Sequence, residues 1–287
     1  MAKILITGST GFIGKALLIK LKASHHETLE LNHSSGDISD ESTWAGIPKA
    51  DVVVHLAART FVPGSWANLQ GYLQTNLLGT VCALNYCKEQ DAKMIFLSSY
   101  LYGKPESLPI PESAPIHAFN PYALSKKLAE EVCQFYTERF KIHTTILRPF
   151  NVYGPGQHED FVIPLIIKQA LSGSVIQVQD LEPKRDYVYI DDVIDFISAA
   201  VDLDQKFNVF NVGTGISYSV AEIIDMVQKH LGTNLPVKSM GGRRPEEIMD
   251  TQADISRALV LGWEPKWTLQ QGIAEVLSDI QNEKEKI

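Results

Sequence analysis

The chain has 287 residues, of which 45% are hydrophobic and 21% are charged, and its formal net charge at pH 7 is −8. This acidic balance disfavours nucleic acid or an anionic membrane as the main partner. No apolar run reaches the roughly 18 residues of a membrane span, and the first predicted strand begins at Lys3, so we expect a cytoplasmic protein. Cys82, Cys87 and Cys133 lie in predicted helices without metal-ligand spacing, which favours buried thiols over disulfides or a metal site.

A glycine-rich turn separates the first predicted strand from the first predicted helix. Residues 4–6 form an apolar run typical of a buried strand, and apolar side chains recur at helical spacing from residue 12 onward. Glycines in such a turn permit a tight bend, close approach of backbone to phosphate, and packing of helix on strand. The N–H groups and the dipole at a helix N-terminus favour a pyrophosphate. The alternative is a turn that binds nothing. We predict a dinucleotide site that includes Gly8, Gly11, Phe12, Ile13 and Gly14.

Strand-like and helical stretches alternate through the first half of the chain. This alternation is typical of right-handed βαβ crossovers, so residues 1–150 are predicted to form an α/β dinucleotide-binding domain with a Rossmann-type, doubly wound parallel sheet. The predicted strands are 3–7, 28–31, 51–55, 93–97 and 142–147, and the predicted helices lie near 12–23, 66–90 and 120–140.

The alternation loosens after residue 150. A polar loop rich in glycine and proline comes first, and the sequence then predicts helices near 161–171, 219–230 and 268–282 with short strands between them. We interpret 151–183 and 213–287 as a smaller C-terminal α/β lobe that binds the substrate. The segment 184–212 is predicted to return to the first sheet.

Tyr122 and Lys126 form a YxxxK pair at the start of a predicted helix. Asn120 is a good N-cap and is followed by proline at the first helical position, so the two side chains should lie one turn apart on one face. An ammonium beside a phenol stabilises the phenolate and should lower the pKa of Tyr122 toward the range of acid–base catalysis. A second match, Tyr100 and Lys104, is interrupted by glycine and flanked by proline, so its side chains need not share a face.

Ser98 and Ser99 follow the apolar run that ends near residue 97. They should therefore lie at a carboxyl end of the parallel sheet, where open α/β sheets bind ligands. A hydroxyl at this edge can hold a substrate oxygen. Taken alone, the pair is equally compatible with an ordinary turn after a strand.

Ordered motifs along nearly the whole chain resemble the extended short-chain dehydrogenase/reductase family, which contains the sugar-nucleotide epimerases, dehydratases and reductases. The motifs are TGSTGFIG, GDISD, VVVHLAA, TNLLGT, FLSSYLYG, NPYALSKKLAE, LRPFNVYGPG, RDYVYIDDV, NVGTG, RRPEE and LGWEP. The resemblance implies that Ser98, Tyr122 and Lys126 are the catalytic set, with Lys126 also at the nicotinamide ribose. It implies further cofactor contacts from Asp37, Ile38, Leu56, Ala57, Ala58, Asn76, Pro149 and Phe150.

The resemblance also implies a set of substrate residues. Asn151, Arg185 and Arg244 match positions that hold the nucleotide diphosphate, and guanidinium suits phosphate because it is always charged and binds bidentately. Glu247, Ser98 and Ser99 complete the predicted set. The alternatives are a surface pair of Arg185 with the next residue, Asp186, and a solvated charge at Arg244.

Two departures from the family pattern narrow the expected reaction. Family dehydratases carry an Asp-Glu pair where this chain has Ser99 and Tyr100, which disfavours dehydration. Members that epimerise carbons 3 and 5 use a cysteine in place of Tyr100 and a histidine in place of Phe161. Hydride transfer at a single carbon remains, and C4 of the sugar is the expected position.

The third departure concerns the cofactor. An NAD-selective site places an acid at the end of the second strand, whereas this chain has Asn32, followed by His33 and Ser34. No carboxylate there repels a 2′-phosphate, and the short connection to Asp37 resembles the 4-keto-sugar reductases. We therefore predict NADP(H) or NAD(H) as cofactor and an NDP-4-keto-(6-deoxy)sugar reductase.

Three further expectations concern the alternative reactions, the partners and the assembly of the protein. An NDP-sugar 4-epimerase is the first alternative to the reductase, and a dinucleotide sensor without catalysis is a more distant one. The partners are a nucleotide-diphosphate sugar and a second copy of the chain. The homodimer should use the helices at 66–90 and 120–140, since the second helix carries more apolar side chains than one sheet-facing stripe needs.

Overall fold

The computed structural model describes residues 1–24, 26–242 and 247–285. The chain forms two compact units. The first comprises residues 1–103, 112–149 and 194–212, and the second comprises 104–111, 150–193 and 213–287.

The predicted strands occur in the predicted order, and the structure adds short elements between them. Up to residue 149 they are β1 (Lys3–Thr7), α1 (Phe12–Ala23), β2 (Glu27–Leu31), α2 (Glu41–Trp44), β3 (Val52–His55), α3 (Val62–Ala67), α4 (Leu69–Tyr72), a π-helical turn (Leu73–Leu78), α5 (Gly79–Gln90), β4 (Lys93–Leu97), α6 (Pro121–Phe140) and β5 (Thr144–Pro149). After it they are β6 (Asn151–Tyr153), α7 (Val162–Ser172), β7 (Ile176–Val178), β8 (Lys184–Tyr189), α8 (Ile190–Ala200), β9 (Phe207–Val212), β10 (Ser217–Ser219), α9 (Val220–Leu231), β11 (Val237–Ser239), β12 (Asp250–Thr251), α10 (Ser256–Val260) and α11 (Leu269–Glu285).

The first unit is built on a six-stranded sheet in the order β2-β1-β3-β4-β5-β9, and all its neighbouring strands are parallel. The chain reverses direction across the sheet after β2, so the carboxyl ends of β1 and β3 lie side by side at a switch point where such sheets bind ligands. Alternate strand residues, including Leu5, Val53 and Met94, form a core with α5 and α6. The predicted fold class is confirmed. Cys82, Cys87 and Cys133 are free thiols buried in this core.

The second unit contains a smaller sheet centred on β8, which pairs with β6, β10 and β12, and a two-stranded pair, β7 and β11. Helix α9 in this unit has both terminal signals: a capping box of Ser219 and Glu222, and Gly232 at a φ of 65° after its last turn.

The structure corrects two of the predicted segments. The predicted return at 184–212 is divided, because β8 pairs within the second unit and only the later part, ending in β9, joins the first sheet. The predicted helix at 66–90 is broken, since Asn68 caps α4 by accepting from the Gly71 N–H and a π-helical turn precedes α5. No helix within the described ranges is both long and apolar enough to cross a membrane.

Candidate active site

The glycine turn after β1 packs closely on the chain after β3. A Cβ on Gly8, whose φ is 70°, would lie 2.9 Å from the Ala57 nitrogen, and one on Gly14 would lie 2.2 Å from the Gly8 carbonyl oxygen. Helix α1 begins without a side-chain cap at Gly11 and without an acid in its first turn. The backbone N–H groups of Phe12 and Ile13 therefore begin the helix with no carboxylate competing for them, which suits a phosphate group.

Thr7, which the sequence analysis did not single out, shapes the chain after β3. Its hydroxyl oxygen accepts from the N–H groups of Leu56 and Ala57 at 3.1 Å each, and it pairs with His55 Nδ1 at 2.8 Å. Burial lowers the pKa of His55 to about 3, with a further contribution from the charge on Lys126. A neutral His55 therefore holds Thr7, and Thr7 holds the segment predicted to run along the cofactor.

Asn76 lies in the π-helical turn, and its side-chain amide bonds to other residues of the protein. It accepts from the Arg59 N–H at 2.8 Å, and it donates to the Arg59 carbonyl at 3.0 Å and to Ser125 Oγ at 2.9 Å. These bonds join the segment containing Ala58 to helix α6. Asn76 thus supports the predicted cofactor contacts, and a π-helical turn is a common position for such a residue.

The connection after β2 is a short turn with an uncharged end. Asn32 Oδ1 accepts from the Ser34 N–H at 3.0 Å and from its hydroxyl at 2.7 Å, which stabilises a single 3₁₀ turn that includes His33. Asp37 then accepts from the backbone and hydroxyl of Ser39, and these bonds lower the pKa of Asp37. Ile38, which follows, is half-buried and its carbonyl accepts from the Trp44 indole.

Ser98 and Ser99 follow β4 at the carboxyl edge of the sheet. The chain here continues along β5, because the Ser98 N–H donates to the Leu147 carbonyl at 2.8 Å and the Tyr100 N–H donates to the Pro149 carbonyl at 3.2 Å. Ser98 is 5% exposed, and its Oγ has no hydrogen-bond partner among the described residues. A buried hydroxyl without a partner costs free energy, so its arrangement fits a hydrogen bond to a ligand oxygen.

Tyr122 lies in the first turn of α6, where Asn120 caps the helix by accepting from the Ala123 N–H at 2.7 Å. Its hydroxyl is hydrogen bonded to the side chain of Ser99. Burial raises the pKa of Tyr122 to about 12, despite this bond, with smaller contributions from Tyr100 and Tyr72. The prediction that Lys126 lowers the pKa of Tyr122 is wrong, because the effect of burial on the phenol dominates.

Lys126 follows Tyr122 by one turn and is buried. Its Nζ donates to the Leu97 carbonyl at 2.6 Å and lies 4.2 Å from the centre of the Phe96 ring. Burial lowers the pKa of Lys126 to about 8, while Glu130, one turn further on, raises it. The ammonium is thus held at the end of β4, on the strand that leads directly into Ser98.

Two predicted substrate residues of the second unit form an ion pair. Arg185 on β8 donates from Nη2 to Glu247 Oε1 at 2.5 Å, and from Nη1 to the carbonyls of Lys184 and Ile248 at 2.8 and 2.7 Å. The next residue, Asp186, is buried on the other face of the strand. Arg185 is therefore not a solvated charge but a guanidinium fixed by its neighbours.

Asp186 holds the second unit together at this point. Its carboxylate accepts from the N–H groups of Thr214, Gly215 and Ala253, and burial raises its pKa in spite of these bonds. Its carbonyl accepts from the Asn151 side chain at 3.2 Å. The alternative pairing of Arg185 with Asp186 is wrong, since that carboxylate binds backbone.

Pro149, Phe150 and Arg244 are the remaining predicted site residues. Pro149 ends β5 and Phe150 follows it, and both are buried. Arg244 lies outside the described residues. Asp192, near the start of α8, accepts from the N–H groups of Lys266 and Trp267 and thereby fixes the chain before α11.

Comparison with known proteins gives the class of this chain. The model of the NAD dependent epimerase/dehydratase family matches residues 4–213. The chain belongs to this family and is an enzyme of it. The resemblance inferred from the sequence motifs is confirmed.

Individual relatives differ in their reactions. GDP-6-deoxy-D-mannose reductase of Pseudomonas aeruginosa is 31% identical over 96% of this chain and 96% of that protein. UDP-glucose 4-epimerase of Lactobacillus helveticus is 32% identical over 92% of each chain. The structure of RMD from Pseudomonas aeruginosa complexed with NADPH has a TM-score of 0.90 and 29% identity, and the match covers 99% of this chain and 100% of that one. These matches span whole chains and include both a reductase and an epimerase.

Proposed function

We propose that this protein is an NAD(P)-dependent oxidoreductase that reduces the 4-keto group of a nucleotide-diphosphate 4-keto-(6-deoxy)sugar. The observation that carries this proposal is the buried, unpartnered Ser98 hydroxyl at the end of β4, on the strand whose last carbonyl binds Lys126. The comparisons support this proposal because the chain belongs to a nucleotide-sugar family that includes a reductase.

The side chains of this site have distinct roles in the proposed reaction. A bound nicotinamide supplies the hydride. Tyr122 stays protonated at neutral pH because burial raises its pKa to about 12, so it is suited to give a proton to the oxygen at C4. Ser98 donates a hydrogen bond to that oxygen, and Ser99 holds the Tyr122 hydroxyl. Lys126 would hold the nicotinamide ribose, and its ammonium would compensate the charge left on Tyr122 as the proton leaves.

The end of β2 supports the use of NADPH. Asn32 is uncharged and bonds within its own turn, and exposed His33 and Ser34 follow it. Replacing Asn32 with aspartate keeps the acceptor for the Ser34 N–H and adds a carboxylate that repels a 2′-phosphate. We expect Asn32→Asp to shift preference toward NADH by on the order of 1–3 kcal/mol, or about 5- to 150-fold in the ratio of kcat/KM values.

The matched control is Asn32→Ser, which retains a short capping side chain without charge. Its NADPH to NADH ratio should stay close to that of the wild type. Equal ratios in the wild type and Asn32→Asp would show that this turn does not contact the 2′ position.

A 4-epimerase is the second candidate, and the specific observation in its favour is the whole-chain match to UDP-glucose 4-epimerase. It would use the same hydroxyls to oxidise C4, and to reduce it from the other face. One assay separates the two: NADPH or NADH with a nucleotide 4-keto-6-deoxysugar, beside UDP-glucose with NAD. Stoichiometric loss of nicotinamide absorbance supports the reductase. Interconversion of UDP-sugars without net cofactor consumption contradicts it and establishes the epimerase.

A homodimer is the proposed assembly, built on the segment 66–90 and helix α6. Leu78, Leu124, Phe135 and Phe140 are large apolar side chains exposed on these elements. Exposed apolar side chains that cluster on one face mark protein interfaces. Light scattering at micromolar concentration should give twice the chain mass of 31.9 kDa. A monomer mass under these conditions would contradict the proposal, and Phe135→Glu should convert the dimer to monomer.

A further inference from the structure

A buried ion pair lies one helical turn beyond Lys126. Glu130 on α6 and Arg148 on β5 are each 5% exposed. Arg148 Nε donates to the two Glu130 oxygens at 3.1 and 3.2 Å, and Nη2 donates to Oε2 at 2.7 Å. This bidentate contact attaches the helix of Tyr122 and Lys126 to the fifth strand.

The same guanidinium reaches the segment that follows β4. Arg148 Nη1 donates to the Tyr102 hydroxyl and to the Glu112 carbonyl, at 3.0 Å each. The Tyr102 hydroxyl in turn donates to Asn211 Oδ1 at 2.5 Å, and the Asn211 N–H donates to Glu112 Oε1 at 2.9 Å. We call these five side chains the Arg148 network. It joins α6, β5 and β9 to the segment 98–103.

Arg148 also lies between the two residues that hold the predicted catalytic segment. The Leu147 carbonyl accepts from the Ser98 N–H, and the Pro149 carbonyl accepts from the Tyr100 N–H. The backbone of residues 147–149 therefore contacts the Ser98 segment. The Arg148 side chain contacts both that segment and α6. Arg148 thus connects the segment that carries Ser98 with the helix that carries Tyr122.

A gain in folding stability does not by itself explain why the chain contains such a network. Burying two charges costs several kcal/mol of desolvation free energy per ion, and apolar replacements of buried ion pairs are often neutral or stabilising. Catalysis, however, depends on geometry, and a displacement of 1 Å caused by a distant substitution can cost about 10²-fold in rate. A fully bonded network fixes one arrangement of its members.

We propose that Arg148, acting through Glu130 and Tyr102, is a positioning residue that fixes the active-site helix α6 against the segment that carries Ser98. The inference rests on the proposed function, because it assigns reacting roles to Ser98, Tyr122 and Lys126. Neither Arg148 nor Glu130 touches the reacting atoms in this scheme.

Lys126 is affected by the network through charge as well as geometry. The groups that face it are the Phe96 ring and the Leu97 carbonyl of β4, Glu130 and Cys133 of α6, and His55 of β3. Glu130 is the carboxylate in this set, and it raises the pKa of Lys126 against the effect of burial. Its pairing with Arg148 keeps that carboxylate in a fixed position.

Tyr102→Phe is the first test, because it removes one hydroxyl and leaves the Arg148–Glu130 pair intact. We expect kcat for the 4-keto sugar to fall about tenfold, with KM within about twofold of the wild-type value, since the misplacement affects the transition state more than binding. The matched control is Tyr86→Phe in the same unit. Tyr86 is also buried, and its hydroxyl donates to the Pro48 carbonyl at 2.7 Å and accepts from the Ala50 N–H at 3.0 Å, away from the site.

A second readout requires no substrate. Hydrogen–deuterium exchange of segments 98–103 and 121–126 should be faster in Tyr102→Phe than in the wild type, and unchanged there in Tyr86→Phe. The proposal is overturned if Tyr102→Phe and Tyr86→Phe have the same melting temperature and the same kcat. It is also overturned if segments 98–103 and 121–126 exchange at the same rate in both variants. In either case the Arg148 network has a purely structural role. If the wild type itself turns over no nucleotide sugar, the proposed function fails. The exchange experiment then tests by itself whether the Arg148 network fixes segment 98–103 against α6.

Two further variants test the charged part of the network. Arg148→Lys keeps the charge but loses the bidentate contact, and we expect it to lower kcat about 10²-fold. Glu130→Gln removes the carboxylate beside Lys126, so the alkaline limb of the kcat profile should move to lower pH. Rates per folded molecule that match the wild type in Arg148→Lys, and an unmoved limb in Glu130→Gln, would each contradict the inference.

Discussion

Replacing Tyr122 with phenylalanine is expected to lower kcat by about 10²–10⁴-fold, the range for loss of a general acid. The variant keeps the ring but loses the hydroxyl that bonds to Ser99. Dinucleotide affinity, measured by quenching of protein fluorescence, should remain close to that of the wild type. Lys126→Met should lower both turnover and dinucleotide affinity, because Lys126 is assigned to the cofactor as well as to the proton transfer.

The control for this experiment is Tyr72→Phe. The Tyr72 ring packs edge-on against Tyr122, with ring centres 6.5 Å apart, and its hydroxyl donates to the Phe61 carbonyl. Its loss should alter stability slightly and leave kcat within about threefold, the effect of a weak neutral hydrogen bond. Near-normal turnover in Tyr122→Phe would disprove the assignment of the proton donor, and so would equal losses in the two variants.

Replacing Arg185 with methionine is expected to weaken binding of a nucleoside diphosphate by about 1.5–3 kcal/mol, or roughly 10- to 150-fold in Kd. Its guanidinium has five N–H donors, and the bonds to Glu247, Lys184 and Ile248 use three of them. The remaining donors and the fixed position suit a diphosphate. Isothermal calorimetry with UDP and GDP measures the loss, and dinucleotide affinity should not change.

Lys184→Met is the matched control for Arg185→Met, since it removes an equal charge from an exposed neighbour on the same strand. It should change Kd less than about twofold. Arg185→Lys keeps the charge but not the planar fork, and should recover only part of the affinity. Unchanged Kd values for both nucleotides in Arg185→Met would refute the assignment. Arg244→Met carries the same expectation from the sequence alone.

Much of the first unit follows from local sequence. The Gly8 turn, the strand before it, the helix after it and the Asn120 cap are each encoded within a few residues, so their patterns can be recognised from the sequence alone. The spacing of Tyr122 and Lys126 places them one turn apart for the same reason. The family resemblance adds roles to these residues because its motifs occur in order along the whole chain.

Other features depend on contacts between residues far apart in sequence. Lys184–Tyr189 forms a strand whose first three residues are charged, and only its partners β6, β10 and β12 decide which sheet it joins. The pairing of Arg185 with Glu247 and the bonds of Asp186 to three distant N–H groups could not be read from neighbouring residues.

The pKa of Tyr122 also depends on both the local sequence and the tertiary packing. Sequence spacing gives Tyr122 a nearby ammonium and thus predicts a lowered pKa, whereas the surrounding packing buries the phenol and raises it. Short spacings in the sequence predict the dinucleotide turn, the α/β order of elements and the candidates Ser98, Tyr122 and Lys126. The strand partners, the partial burial of Tyr122 and the Arg148 network require the folded chain, because the dielectric environment and long-range hydrogen bonds exist only after folding.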